Sequence, residues 1–169
     1  MLVYIYTDGS YSDKNPNETW GAMIALSRGT GGTRVLRAQR YKTEVPAIVS
    51  ARNVGGELVA AGFALATIAQ DVIGDGDGSN VELCIVHDYV GISKFVQPKP
   101  DGWSANKTAS ILYVNLVNAV KKKYPKLKVT FKWVKGHSGD YWNTRVDELA
   151  AGIVSSECQP VQLPTFVYK

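Results

Sequence analysis

Residues 81–87 (VELCIVH) form an apolar run of strand length, and Asp88 follows it directly. Such a run is typical of a buried strand, which commits the chain to a sheet covered on its faces. The flanking pattern agrees. Residues 2–7, 20–27 and 33–41 are β-rich, and are separated by a polar turn holding Asn15, Pro16 and Asn17 and by a glycine-rich turn at 29–32. They predict an antiparallel meander. From Glu57 to Val72, Leu58, Ala61, Leu65, Ile68 and Val72 recur close to a helical period. Residues 104–124 predict a further helix, 127–134 a fifth strand and 140–154 a last helix. The expected fold is α/β: a five-stranded mixed sheet, three antiparallel strands followed by two parallel ones, flanked by helices.

A chain of 169 residues with 45% hydrophobic and 20% charged residues fits one domain with its own core. No apolar run is expected to reach the length of a membrane span. The start, MLVYIYTDGS, lacks a basic n-region and reads as a first strand. Cys84 and Cys158 make neither a zinc spacing nor a disulfide framework, and a reducing cytoplasm is the default expectation. The GDGDGSN segment fails as a calcium loop, because Asn80 and Val86 fall where glycine and glutamate are required. Net charge is +4, unevenly spread. Seven lysines and no acid lie between Ala119 and Lys135, whereas Ala66 to Val90 holds five acids and no Lys or Arg. A basic stretch of this kind can follow a phosphate backbone, or can be a solvated helix end.

Four acids stand out by placement. Asp8 ends the first strand, Asp88 ends the buried one, Glu57 opens a helix, and Asp147 lies one to two turns into the last helix. If the first and fourth strands are adjacent and parallel, Asp8 and Asp88 emerge at one sheet edge, where ligands gather in such folds. Glu57 in a first helical turn would suit the helix dipole. Each acid alone reads equally well as a cap or a surface charge. Four that converge would repel one another, and divalent cations with oxygen ligands are the natural remedy.

The blocks TDGS (7–10), GELVAA (56–61), the strand ending in Asp88, and WVKGHSGDYWNTRVDELA (133–150) together resemble ribonuclease H of type 1 over nearly the whole chain. The resemblance implies the RNase H-like fold, with a catalytic domain at 1–155 and a tail at 156–169. It implies an endoribonuclease that hydrolyses the RNA strand of RNA–DNA hybrids with two Mg²⁺ ions per site, Mn²⁺ being a possible substitute, leaving 5′-phosphate and 3′-hydroxyl ends. Asp8, Glu57, Asp88 and Asp147 would be the metal and catalytic carboxylates, with Asp8 between the ions. His137 in the GHSG loop would assist turnover. Gly9, Ser10, Asn53, Asn143 and Arg145 would meet the substrate. A monomer, acting away from membranes in the cytoplasm, is the simplest expectation.

The chain departs from many members between Val96 and Tyr113, where only Lys99 and Lys107 stand in place of a lysine-rich helix and loop. This resembles the handle-less subgroup of bacterial and viroplasmin-like RNase H domains. Val54 and Val90 also replace residues that are polar in many members. Two rival readings differ in what they require. A noncatalytic nucleic-acid-binding module would not need all four acids, and another nuclease of the same superfold would not need the GHSG block.

Overall fold

The computed structural model describes residues 1–136, 139–153 and 165–169. The chain runs β1 (Leu2–Ser10), β2 (Thr19–Gly29), β3 (Gly32–Thr43), α1 (Pro46–Val49), α2 (Asn53–Ile73), β4 (Glu82–His87), α3 (Gly91–Lys94), α4 (Thr108–Lys123), β5 (Lys128–Trp133), α5 (Tyr141–Ala150) and β6 (Thr165–Tyr168). Among the described residues the sheet has six strands in the order β5-β4-β1-β2-β3-β6. The meander β1–β2–β3 is antiparallel, and β4 and β5 add parallel to β1, as the sequence pattern predicts.

The sixth strand is an addition. Four residues of the segment expected as a tail pair in parallel with β3, from Arg40↔Thr165 to Thr43↔Tyr168. Aromatic packing holds them. The Phe166 ring lies 4.6 Å from that of Phe63 and 5.9 Å from that of Tyr41, and Tyr168 lies 5.5 Å from Phe63. Phe166→Ala is expected to cost about 1–3 kcal/mol, because the ring is partly buried and has two aromatic neighbours. A urea melt would show this as a lower midpoint, and an unchanged midpoint would mean that β6 adds nothing to stability.

Strand alternation puts Val3 and Ile5 on the sheet face covered by α2 and α4, and Tyr6 on the face covered by α5. Helix α2 is the central element. At 21 residues with a mean hydropathy of 1.4 it is long and apolar enough to cross a membrane by length and composition, which the sequence reading did not anticipate. In this fold it is a core helix, with Leu58, Ala61, Leu65 and Ile68 all buried against the sheet and α4.

Glycine lets α2 come this close. A Cβ on Gly56 would stand 2.6 Å from the Trp20 carbonyl carbon, and one on Gly9 would stand 2.7 Å from the Glu57 nitrogen. Helix and strand backbones therefore touch directly at the end of α2 that carries Glu57. The helix begins after Arg52, which holds φ +56° and whose carbonyl accepts a 2.7 Å hydrogen bond from the Thr19 hydroxyl. A non-glycine residue in that region costs about 1–3 kcal/mol, so the start of α2 is pinned at the expense of local strain.

The lysine-rich stretch is partly neutralised by the acidic one. Lys126 lies 3.4 Å from Asp77 and Lys128 lies 3.5 Å from Glu82, both pairs at the surface. Between β4 and α4, α3 is a single turn followed by a loop, and no long helix is present there.

Candidate active site

In the β1–β4 ladder Tyr6 is the partner of Val86, and Asp8 and Asp88 each follow two residues later. They are equivalent positions on neighbouring parallel strands. Strand β4 ends at His87, while β1 continues along β2 as far as Ser10, so the flank of Asp8 on the β4 side is open. Glu57 reaches the same point from α2. Asp8, Glu57 and Asp88 each offer a carboxylate oxygen, all within 4.8 Å of one another. Asp8 is 5% exposed and Glu57 2%. Asp147 on α5 approaches from the opposite sheet face and shares a hydrogen bond with the Asp8 carboxyl. Asp8 is thus central, with Glu57, Asp88 and Asp147 all close to it.

Glu57 differs from expectation in one respect. Helix α2 starts at Asn53, so Glu57 lies in the second turn and its first turn carries no acid. The helix dipole is therefore a minor influence, since it fades beyond the first turn. What Glu57 has instead is a backbone donor: the Tyr89 N–H reaches its Oε1 at 3.3 Å.

The electrostatics follow from crowding. Burial, then the Asp88 charge and the hydrogen bond with Asp147, push the Asp8 carboxyl up to about 8, against a weaker downward pull from the Gly9 N–H at 2.9 Å. Burial, followed by the hydrogen bond and charge of Asp88, holds Glu57 well above the carboxylate range. Groups whose folded pKa is raised bind more protons folded than unfolded, so stability falls as pH rises between the two values. For Asp8 that window runs from its ordinary 3.8 to about 8. In chelator, the chain is expected to lose stability steadily as pH rises from about 4 to about 8. A flat urea midpoint across that window would show that the carboxyls are not crowded.

This donor set fits a hard divalent cation. It offers oxygens alone, the crowded carboxyls resist ionisation without a counter-charge, and among the described residues no sulfur or imidazole joins the group. His87, next to Asp88, turns its Nδ1 to the Tyr89 carbonyl at 2.8 Å.

The other expected site residues are less uniform. Asn53 is exposed at the start of α2. Gly9 serves the close approach of α2, in addition to any room it leaves for a substrate. Ser10 lines a 180 Å³ depression with Trp20, Arg40 and Ala151. Asn143 is 4% exposed and lies within the packed face of α5. Arg145 pairs with Glu148 at 2.8 Å and lies over the Tyr141 ring. His137 lies outside the described residues. Sequence reasoning missed Trp133 and the Tyr89 backbone. Trp133 is 58% exposed, and its Nε1–H donates to the Asp88 carbonyl at 2.9 Å. A tryptophan only a few residues before the Gly136-His137 pair in the sequence was the available signal.

Carboxylates gathered where parallel strands end in an open mixed sheet define a metal-dependent hydrolase of the ribonuclease H-like fold. The chain belongs to the RNase H family, whose profile matches residues 2–155. It is 34% identical over 152 residues to the ribonuclease H of Hahella chejuensis, covering 88% of this chain and 90% of that protein. To the ribonuclease H of Mesorhizobium japonicum it is 33% identical over 151 residues, covering 88% and 75%. Among solved structures, LC11-RNase H1 in complex with an RNA/DNA hybrid superposes with a TM-score of 0.65 at 18% identity, over 90% of this chain and 96% of that one. LC9-RNase H1, a type 1 RNase H with the type 2 active-site motif, gives a TM-score of 0.60 at 19% identity, over 92% of this chain and 75% of that one.

Proposed function

We propose that the protein is an endoribonuclease that hydrolyses the RNA strand of RNA–DNA hybrids, leaving 5′-phosphate and 3′-hydroxyl ends. The observation that carries this reading is the meeting of Asp8, Glu57 and Asp88 at one sheet edge, with Asp147 near enough to Asp8 to raise its pKa. The curated relatives are ribonucleases H, and LC11-RNase H1 was solved with a hybrid bound, which supports the choice of substrate.

Asp8, Glu57, Asp88 and Asp147 would hold Mg²⁺, two ions per site, with Mn²⁺ as a substitute. Such ions, when bound, activate a water and stabilise the leaving oxygen of a phosphodiester. Asp8 and Asp147 would help hold the cation that supplies the activated water, and Glu57 and Asp88 the cation that supports the leaving oxygen. Burial of Asp8 and Glu57 keeps competing water away from their oxygens and makes them hold protons more tightly, so a bound cation would displace those protons. The Gly9 N–H fixes one oxygen of Asp8, and the Tyr89 N–H fixes one of Glu57. His137 would assist turnover, and Gly9, Ser10 and Asn53 would face the substrate. We further propose a monomer, acting in the cytoplasm without membrane contact.

The test is incubation of labelled hybrid, double-stranded RNA and double-stranded DNA with Mg²⁺ or Mn²⁺. Cleavage confined to the RNA of the hybrid is the expected result. Binding without cleavage would instead favour a noncatalytic module.

A further inference from the structure

The peptide unit joining Asp88 to Tyr89 is held at both ends. Its carbonyl oxygen accepts from the Trp133 Nε1–H at 2.9 Å, and its N–H donates to Glu57 Oε1 at 3.3 Å. The next carbonyl along, that of Tyr89, is held by His87 Nδ1 at 2.8 Å. A carbonyl only accepts, so the imidazole proton is on Nδ1. Three side chains from α2, β4 and β5 thus fix one turn of backbone, and that turn aims two carboxylates: Asp88, which belongs to it, and Glu57, which receives its N–H.

Neither Trp133 nor His87 is explained by packing. Trp133 is 58% exposed at the end of an edge strand, where a smaller polar residue would be solvated at no cost. His87 is 0% exposed, beside the Phe131 ring, and its Nε2 has no hydrogen-bond partner among the described residues. An unpartnered buried nitrogen is destabilising, and leucine would fill such a site better. What both residues share is the 88–89 turn. Hydrogen bonds in series also polarise one another, so the indole N–H strengthens donation by the amide on the far side of the same peptide.

We propose that Trp133 and His87 are positioning residues for the metal carboxylates Glu57 and Asp88, acting through the backbone of residues 88–89. This rests on the metal-site reading above. Neither side chain need touch cation or substrate. Trp133 reaches Glu57 through the peptide, and His87 keeps that peptide facing it.

The experiment compares Trp133→Phe, which keeps an aromatic ring and deletes the N–H, with His87→Leu, which deletes the donor, and His87→Asn, whose amide nitrogen can replace Nδ1. Three quantities are read on the full chain: calorimetric Mn²⁺ affinity, exchange of the Tyr89 amide hydrogen, and kcat and KM on hybrid at saturating metal. Trp133→Phe and His87→Leu are expected to weaken Mn²⁺ binding by about tenfold, as loss of partners behind metal ligands does. They should speed exchange of the Tyr89 amide and leave the KM for hybrid at the parental value. His87→Asn should behave as the parent does. Parental Mn²⁺ affinity in Trp133→Phe overturns the proposal, as does a raised KM with metal affinity intact, which would make Trp133 a substrate contact. A parent that binds no Mn²⁺ overturns the metal-site reading itself. In that event unchanged Tyr89 exchange in Trp133→Phe would also dispose of the backbone hold, because this readout needs no metal. Trp133 is at the surface, so its substitution leaves the core intact.

Discussion

Asp8→Asn is expected to reduce hybrid cleavage by about a thousandfold or more, because the central member of the group would lose its charge while keeping its shape. The same substitution should make the metal-free protein more stable. Asp8 is pushed up to about 8 by burial and by Asp88, so above that pH the folded chain carries a buried charge beside other acids. An amide carries none. The gain should be of the order of 2 kcal/mol above about pH 8 and vanish below about pH 3, where the parental carboxyl is neutral in both states. Urea melts in chelator at the two pH values, run beside the cleavage assay, check both halves. A variant that cleaves hybrid like its parent would remove Asp8 from the metal site, and one with parental stability at high pH would remove the crowding.

The second large effect is expected at Gly56. A methyl group there would stand 2.6 Å from the Trp20 carbonyl carbon and 2.9 Å from the Thr19 hydroxyl. The obstacle is the backbone of a central strand, which cannot turn aside as a side chain can. Gly56→Ala should cost about 3 kcal/mol, a fall in Tm of roughly 6–12 °C for a chain of this size. Moving α2 outward would also withdraw Glu57, the next residue, from Asp8 and Asp88. Thermal denaturation by circular dichroism would detect the first effect and Mn²⁺ titration the second. A Tm within a degree of the parent's would mean that helix and strand are not in contact at this point.

The sheet was largely legible because apolar runs of strand length report burial directly. Asp8 and Asp88 were legible for the same reason, as acids that end such runs on strands expected to be parallel neighbours. Other features left no comparable trace. Strand β6 is four residues long, and its place depends on Phe63 and Tyr41, which are distant in the chain. The start of α2 was misplaced because Gly55 and Gly56 resemble helix breakers, and because Arg52 caps the helix with no side-chain hydrogen bond. Gly56 reports contact with strand β2 and Gly55 contact with Ile48 of α1, which no local pattern encodes. The 88–89 turn escaped notice because its key groups are a peptide N–H and C=O, which every residue but proline supplies. Asn143 followed its motif, and the packed face on which it lies appeared only with the helix in place.

Asp8, Glu57, Asp88 and Asp147 come from β1, α2, the end of β4 and α5, so no contiguous stretch of the chain holds the site. A cation bound there therefore recognises only the assembled molecule, and by linkage acts as a ligand of the folded state as a whole. At a hundredfold excess over its dissociation constant it would add about 2.7 kcal/mol to global stability. The melting temperature of this protein should accordingly track the logarithm of free divalent cation, and chelation should act on the fold as well as on the chemistry.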